Sequence, residues 1–179
     1  MRRVIVLVGV IAGVAALIGL PLRATYGART TADEPQYLLT ALSLWEDQSF
    51  DISDELREER WRDFHEAELP EQTSVLDGGR QISPHDPLLP VLLAVPVGLF
   101  GWVGAKAFLA VVAGALAGLL VWVAHRRFGV PVRTAAIVVG SFAMAMPLSS
   151  YGSQVYPELP AALAVTVAVA SRRRWPFVL

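Results

Sequence analysis

Residues 105–124 read AKAFLAVVAGALAGLLVWVA, and Lys106 is the single charged residue in this stretch. Twenty residues of α-helix extend about 30 Å, which is the thickness of the hydrocarbon core of a bilayer. The stretch is dense in glycine and alanine, and such small residues let helix backbones approach closely in lipid. It therefore predicts a membrane-spanning helix.

Three more apolar stretches, at residues 1–22, 134–150 and 159–171, predict further spans. Because positive residues beside membrane spans stay in the cytoplasm, the arginines that flank these stretches define one simple topology with both termini cytoplasmic. We therefore expect an all-α, polytopic protein of the plasma (inner) membrane with about four transmembrane helices. The flanking arginines are Arg2 and Arg3, then Arg126, Arg127 and Arg133, and finally Arg172, Arg173 and Arg174.

The first apolar stretch also fits a signal peptide, but no small-residue cleavage site follows it cleanly, so an uncleaved span is favoured. In either case residue 23 emerges on the outside. Because each span carries the chain to the other side of the membrane, residues 125–133 and 172–179 are assigned to the cytoplasm and residues 23–104 and 151–158 to the exterior.

Charge is strongly segregated along the chain. Residues 23–87 hold fifteen of the sixteen acidic residues but only six of the fifteen basic ones. A near-neutral total that is divided in this way is typical of a membrane protein with a charged external loop. No basic face remains outside the cytoplasmic loops, which excludes a nucleic-acid partner. The absence of cysteine from the sequence excludes disulfides and thiolate chemistry.

Residues 88–100 are apolar but too short to cross the bilayer as a helix, and Pro90 and Pro96 interrupt them. If they crossed, the arginines of the 125–133 loop would face outward, against the positive-inside rule. We therefore expect a helix that lies along the outer membrane surface or re-enters it.

The rest of the external segment predicts short amphipathic helices. Thr31-Ala32-Asp33-Glu34 has the form of a capping box, and the apolar spacing behind it predicts a helix to about Glu46. Residues 54–68 predict a second, charged helix, and Asp77-Gly78-Gly79 predicts a turn. The acids Asp51, Asp54, Glu55, Glu58 and Glu59 are most simply a solvated face.

Several polar residues have both a chemical and a structural interpretation. Asp33 and Glu34 fit a general base or metal ligand at the membrane boundary, but acids in the first turn of a helix also stabilise its dipole. His85 fits a metal or phosphate ligand, or a solvated turn. Glu158, at the outer end of the last span, fits a functional acid, but the helix dipole there also favours a structural one. Lys106 fits a phosphate contact, but a side chain that snorkels to the interface is the default.

The order of the motifs resembles the N-terminal part of the GT-C membrane glycosyltransferases, of the protein mannosyltransferase and aminoarabinose transferase kind. The matching segments are Ala32-Asp33-Glu34-Pro35-Gln36-Tyr37-Leu38, Ser83-Pro84-His85-Asp86-Pro87 and Tyr156-Pro157-Glu158-Leu159-Pro160. Enzymes of this kind use polyprenyl-phosphate sugars as donors. They carry an acidic motif in the first external loop and a membrane-parallel helix opened by a His-Pro-Pro-type motif.

The resemblance implies a role for each matching residue. Asp33 and Glu34 would be catalytic, with Asp33 accepting the proton of the acceptor hydroxyl. Tyr37, Arg80, His85, Lys106 and Glu158 would contact substrate, and Asp33 and Glu158 would hold a divalent metal. Because such enzymes are usually longer, the resemblance implies three alternatives for this chain: a fragment, a truncated gene product, or half of a split protein whose membrane partner supplies further spans. Two alternatives stay open: a non-catalytic membrane subunit or remnant that binds a lipid-linked substrate or partner, and a small transporter.

Overall fold

The computed structural model describes residues 1–24, 27–70, 72–145 and 148–171. The tail at residues 172–179, with Arg172, Arg173 and Arg174, lies outside the described residues. Helices account for 68% of the structure and strand content is low, which confirms the all-α prediction.

The elements follow one another along the chain and fall into two compact units. The helices are α1 (Arg2–Ile18), α2 (Glu34–Glu46), α3 (Ser53–Arg57), α4 (Leu88–Phe128), α5 (Val132–Met144), α6 (Leu148–Tyr151) and α7 (Glu158–Ala170). Two 3₁₀ helices lie at Arg60–Asp63 and Asp77–Gly79, and the strands are β1 (Ser74–Val75) and β2 (Gln81–Ile82). Unit 1 comprises Met1–Gly19, Leu109–Ser153 and the described part of Glu158–Leu179, and unit 2 comprises Leu20–Phe108 and Gln154–Pro157.

Within unit 1, α1 packs against α4 through glycine, and the two helices run antiparallel. A Cβ atom added to Gly9 would lie 2.9 Å from the carbonyl oxygen of Gly114, and one added to Gly118 would lie 3.3 Å from that of Ile5. Both helices carry glycines four residues apart, Gly9 and Gly13 on α1 and Gly114 and Gly118 on α4. Close backbone packing through such pairs is a recurrent geometry of helices in lipid.

The antiparallel packing gathers basic residues at one end of unit 1. Ile5 lies beside Gly118, so the Arg2–Arg3 end of α1 lies towards the C-terminal end of α4, where Arg127 is found. The Arg127 guanidinium donates a 2.5 Å hydrogen bond to the carbonyl oxygen of Ala170, the last residue of α7. The start of α1 and the ends of α4 and α7 therefore share one end of the unit.

The helix lengths differ from the predicted spans. Among the described residues, α4 is the one helix that is long and apolar enough to cross a bilayer, while α5 and α7 are apolar but have 13 residues each. Helix α1 begins at Arg2 and ends at Ile18, short of the predicted end at residue 22. The predicted span 134–150 is divided, because α5 ends at Met144 and α6 begins only at Leu148. Four membrane crossings are therefore not established by helix length.

Helix α4 breaks at Gly101, which has φ 60° and ψ −153°. This backbone conformation is essentially restricted to glycine. The break separates residues 88–100 from residues 102–128, so the two apolar segments that the sequence distinguishes are two helices within one element.

Unit 2 is organised around α2, which follows the predicted course to Glu46. Leu38, Leu39 and Ala41 on this helix are completely buried. Its far end meets the first segment of α4, where a Cβ atom added to Gly98 would overlap the ring of Trp45. The central helix of the unit is thus held on several sides by apolar contacts.

The prediction of one charged helix over residues 54–68 is wrong. Helix α3 ends at Arg57, and Glu59 adopts a left-handed conformation with φ 53° before a 3₁₀ helix begins at Arg60. Phe64 is buried beyond this point. The predicted turn at residues 77–79 joins β1 and β2 as an antiparallel hairpin, in which Ser74 pairs with Ile82.

Candidate functional site

Glu34 is a buried carboxylate that ties two distant parts of unit 2 together. Its Oε2 accepts hydrogen bonds from the backbone N–H of Thr31 at 2.7 Å and from the Thr31 hydroxyl at 3.0 Å. Its Oε1 accepts a 2.7 Å hydrogen bond from the backbone N–H of Val155. With 1% of the residue exposed and both oxygens engaged, Glu34 stabilises the fold of unit 2, and its predicted catalytic role stays a prediction.

The predicted capping box forms only in part. The Glu34 side chain does reach back to Thr31, but α2 begins at Glu34 with Asp33 as its N-cap, so the helix starts two residues later than the box predicts. Ala32, between them, has φ 44°, in the left-handed region that favours glycine. Pro35 suits the first helical turn because its φ is already fixed near the helical value.

Asp33 is available to solvent and lies beside His85. The side chain of Asp33 is 37% exposed, and its Oδ1 lies 3.7 Å from Nε2 of His85. The Oε1 atom of Gln72 lies 3.0 Å from the same nitrogen, so Nε2 carries the proton when it bonds to Gln72. The ring of Tyr37 packs on His85 with the centroids 5.3 Å apart. Three predicted site residues therefore converge, and Gln72 joins them.

Asp33 and His85 each lie next to the start of a helix. Asp33 immediately precedes α2, and His85 lies three residues before α4. The Oδ1 atom of Asp86 accepts a 2.7 Å hydrogen bond from the N–H of Leu88 and so caps the start of α4. Helix N-termini carry partial positive charge, and they favour a nearby anion.

An apolar pocket of about 420 Å³ opens beside His85. Most of its wall is hydrocarbon or proline ring, and His85 is the ionisable side chain among the described residues that line it. The lining residues are Thr40, Phe50, Ile82, Ser83, His85, Pro87 and Pro90. The pocket thus combines an apolar interior with a polar group that belongs to the Asp33–His85 pair.

The two predicted cations lie apart from this pair. Lys106 is 3% exposed and donates a 2.7 Å hydrogen bond to the carbonyl oxygen of Arg29, so it is an interior group rather than a snorkelling one. Its ammonium nitrogen lies 5.7 Å from the ring centroid of Trp102, and the Arg29 guanidinium lies 5.2 Å from the same centroid. Arg80 is exposed on the β1–β2 hairpin, where its charge helps to lower the pKa of Asp51, after the hydrogen bond from Ser53.

Glu158 is exposed at the first turn of α7, as predicted for an acid that favours the helix dipole. Within unit 1 it borders a second apolar pocket, of about 240 Å³, that Leu116, Phe142 and Thr166 also line. Because Asp33 belongs to unit 2 and Glu158 to unit 1, the metal site predicted from the two stays a prediction.

Two polar groups near Glu34 and Asp33, Tyr156 and Gln72, were not among the predicted site residues. The hydroxyl of Tyr156 donates a 3.4 Å hydrogen bond to the carbonyl oxygen of Thr31, and burial raises the pKa of Tyr156. Gln72 belongs to an irregular segment, where no periodicity indicates which way a side chain points. Both groups are defined by contacts between residues far apart in the chain.

Glu55 departs most from the sequence interpretation. It was predicted to lie on a solvated face, but 2% of the residue is exposed, whereas Glu58 and Glu59 are exposed as expected. Burial raises the pKa of Glu55 to about 7, with the neighbouring Asp54 adding to the effect. An acidic residue inside the fold was not foreseen, because α3 was predicted to be a longer helix with a different buried face.

The comparisons with known proteins return no relative for this chain. No protein-family model matches it, and no curated protein and no solved structure shows a significant similarity.

Proposed function

We propose that this chain is a membrane glycosyltransferase that moves a sugar from a polyprenyl phosphate to an acceptor hydroxyl on the outer side of the plasma membrane. The observation that carries the proposal is the approach of Asp33 to His85 beside an apolar pocket. These residues are fifty-two positions apart, and each occupies the motif position at which the family resemblance implies a function.

The proposed topology has about four spans with cytoplasmic termini, and unit 1 supplies its support. Arg2, Arg3 and Arg127 share one end of that unit, as expected if this end faces the cytoplasm. Large apolar side chains on its helices are more than half exposed, which suits contact with lipid better than contact with water. Examples are Leu7 (58%) and Ile18 (72%) on α1, Ile137 (69%) and Val138 (62%) on α5, and Val165 (64%) on α7.

In the proposed reaction, Asp33 is the general base. The acceptor oxygen attacks the anomeric carbon, its proton passes to the Asp33 carboxylate, and the bond from that carbon to the phosphate oxygen breaks. The lipid phosphate leaves with the electron pair. A positioned base contributes about 10²–10⁴ in rate. Asp33 suits this role because its carboxylate is partly exposed, whereas both oxygens of Glu34 are engaged.

The remaining groups suit binding of the donor. The N-termini of α2 and α4 favour the phosphate, and the imidazole of His85 offers a hydrogen-bond donor beside it. The apolar pocket suits the first isoprene units of the lipid. A divalent metal is not required by the contacts at this place, because the described residues of unit 2 bring one carboxylate and one imidazole together here, those of Asp33 and His85. Zinc sites typically use at least three protein ligands, whereas Mg²⁺ is held by one or two carboxylates together with substrate phosphates, and the proposed reaction assigns no step to a metal.

The test is sugar transfer by the purified chain in liposomes that contain a radiolabelled polyprenyl-phosphate sugar. We expect Asp33→Asn to lower the rate by about 10²–10⁴. The matched control is Asp63→Asn, which removes an exposed acid elsewhere in unit 2 and should leave the rate unchanged. Transfer by Asp33→Asn at the wild-type rate would contradict the mechanism. Binding of the donor by a wild-type chain that transfers no sugar would instead support a non-catalytic subunit.

A further inference from the structure

Three carboxylates converge where the chain passes from α2 to α3. They belong to Asp47 at the end of α2, and to Asp54 and Glu55 in the first turn of α3. One ligand oxygen from each lies within 4.8 Å of the others. Asp47 is exposed, Asp54 is half-buried and Glu55 is buried, so the cluster extends from the surface into unit 2.

Glu55 is the independent reason to treat this cluster as a site. Both of its carboxylate oxygens are inaccessible to solvent, and neither has a partner with hydrogen-bond geometry in the described part of the chain, although Asp54 and Ser43 lie close enough to shift its pKa. A buried polar group without a partner costs about 1–3 kcal/mol, and more when it is charged. Such a group therefore requires a counterpart, either a proton or a cation.

The neighbouring polar groups do not meet this need. The Ser43 hydroxyl donates its hydrogen bond to the carbonyl oxygen of Asp51 at 2.7 Å. The Asp51 carboxylate is itself occupied by Ser53 and by the N–H of Gln81. In the described ranges, no lysine or arginine comes within salt-bridge distance of the three carboxylates.

We propose that Asp47, Asp54 and Glu55 bind a calcium ion. Three carboxylates form an all-oxygen ligand set, which suits a hard divalent cation, and water completes the shell on the exposed side. Oxygens on opposite sides of a calcium ion lie about 4.6–5.2 Å apart, since each bond is about 2.3–2.6 Å long, so the cluster accommodates the ion without rearrangement. A proton shared between Glu55 and Asp54 would satisfy one oxygen and leave the others unmet.

Calcium bound here would stabilise the segment between α2 and α3, residues 47–52. That segment contains Gln48, which adopts a left-handed conformation with φ 55°. The ion would join both ends of the segment through Asp47 on one side and Asp54 and Glu55 on the other. Its role would be to order this part of unit 2, and it does not depend on glycosyl transfer.

The test is calcium binding to the purified full chain after treatment with a chelator. Isothermal titration should show one site, and added calcium should raise the Tm. Loss of a group that merely supports a metal ligand typically weakens metal binding about 10–100-fold. Glu55 and Asp54 are proposed as ligands themselves, so we expect at least about tenfold weaker calcium binding for Glu55→Gln and for Asp54→Asn. The control Glu58→Gln removes an exposed acid three positions along the chain and should bind as the wild type does.

Two results would overturn the proposal: a wild-type chain that takes up no stoichiometric calcium, or equal binding by wild type and Glu55→Gln. Asp54→Asn keeps the test informative if Glu55→Gln fails to fold, because its side chain is only half-buried. The readouts are affinity and Tm, so a negative result here leaves the proposed sugar transfer standing, and a chain inactive in transfer can still bind calcium.

Discussion

Replacing Glu34 with glutamine should destabilise the protein by about 3 kcal/mol. The carboxylate receives the N–H of Val155 on one oxygen and the N–H and hydroxyl of Thr31 on the other. An amide offers one oxygen and one NH₂ group, so in either orientation a donor faces the N–H of Val155 or of Thr31. One buried backbone N–H then loses its acceptor, at a cost of about 1–3 kcal/mol, and the remaining hydrogen bond loses the help of the charge.

For a chain of this size, about 3 kcal/mol corresponds to a fall in Tm of about 6–12 °C. Thermal unfolding of the detergent-purified chain, followed by tryptophan fluorescence, measures this shift. The control is Asp33→Asn, since Asp33 caps α2 without a side-chain hydrogen bond and is partly exposed. Its Tm should stay within about 2 °C of wild type, because surface changes usually cost less than 0.5 kcal/mol. Unfolding of Glu34→Gln at the wild-type temperature would refute the buried, doubly bonded carboxylate.

Three other variants test separate features of the fold. Gly114→Leu should separate α1 from α4 and lower the Tm, because even a Cβ atom at this position would lie 2.7 Å from the carbonyl oxygen of Gly9. The control Gly140→Leu places its side chain in open space and should leave the Tm unchanged. Gly101→Ala should destabilise the break in α4 by about 1–3 kcal/mol in thermal unfolding, and an unchanged Tm would mean that the break is absent. In chelator, the contribution of Glu55 to stability should be greatest below pH 4.5 and should fall by at most about 3 kcal/mol as pH rises through 7, because burial raises the pKa of Glu55 to about 7 and favours its neutral form. The measurement is the difference in stability between wild type and Glu55→Gln at each pH, because the lowered pKa values of Asp51 and Glu66 act on both proteins alike. A difference that is constant across this range would contradict the burial.

The apolar helices and α2 could be predicted from the sequence because they rest on local patterns. The helix from Glu34 to Glu46 follows its apolar spacing and its proline, and the small-residue segment of α4 does pack closely on another helix. The break in α4 was also indicated, since residues 88–100 and 105–124 were read as two segments. Gly101 supplies the backbone conformation that separates them.

Other parts depend on contacts between residues far apart in the chain, which a local pattern does not report. The charged segment after Ser53 has helical composition, but the left-handed Glu59 ends that helix and the burial of Phe64 redirects the chain. The hairpin at β1 and β2 has strands of two residues, too short to show an alternation.

In the candidate site, Asp33 and His85 could be singled out from motif position, and the structure brings them to 3.7 Å. The separate roles of Asp33 and Glu34 could not, because two adjacent acids look equivalent until the N–H of Val155 is placed on one of them. The prediction of an exposed Glu55 is wrong for a related reason. The burial of Glu55 depends on packing between α2 and α3 rather than on its own neighbours in sequence.

The hydrogen bond from Val155 to Glu34 also constrains how the protein is made, because it joins residues 121 positions apart. At about 5–20 residues per second, the ribosome needs about 6–24 s after adding Glu34 before it reaches Val155. During that interval the carboxylate has emerged without its later partner, and residues 109–153 must be synthesised first. Unit 2 therefore matures late in translation, although most of its residues are made early.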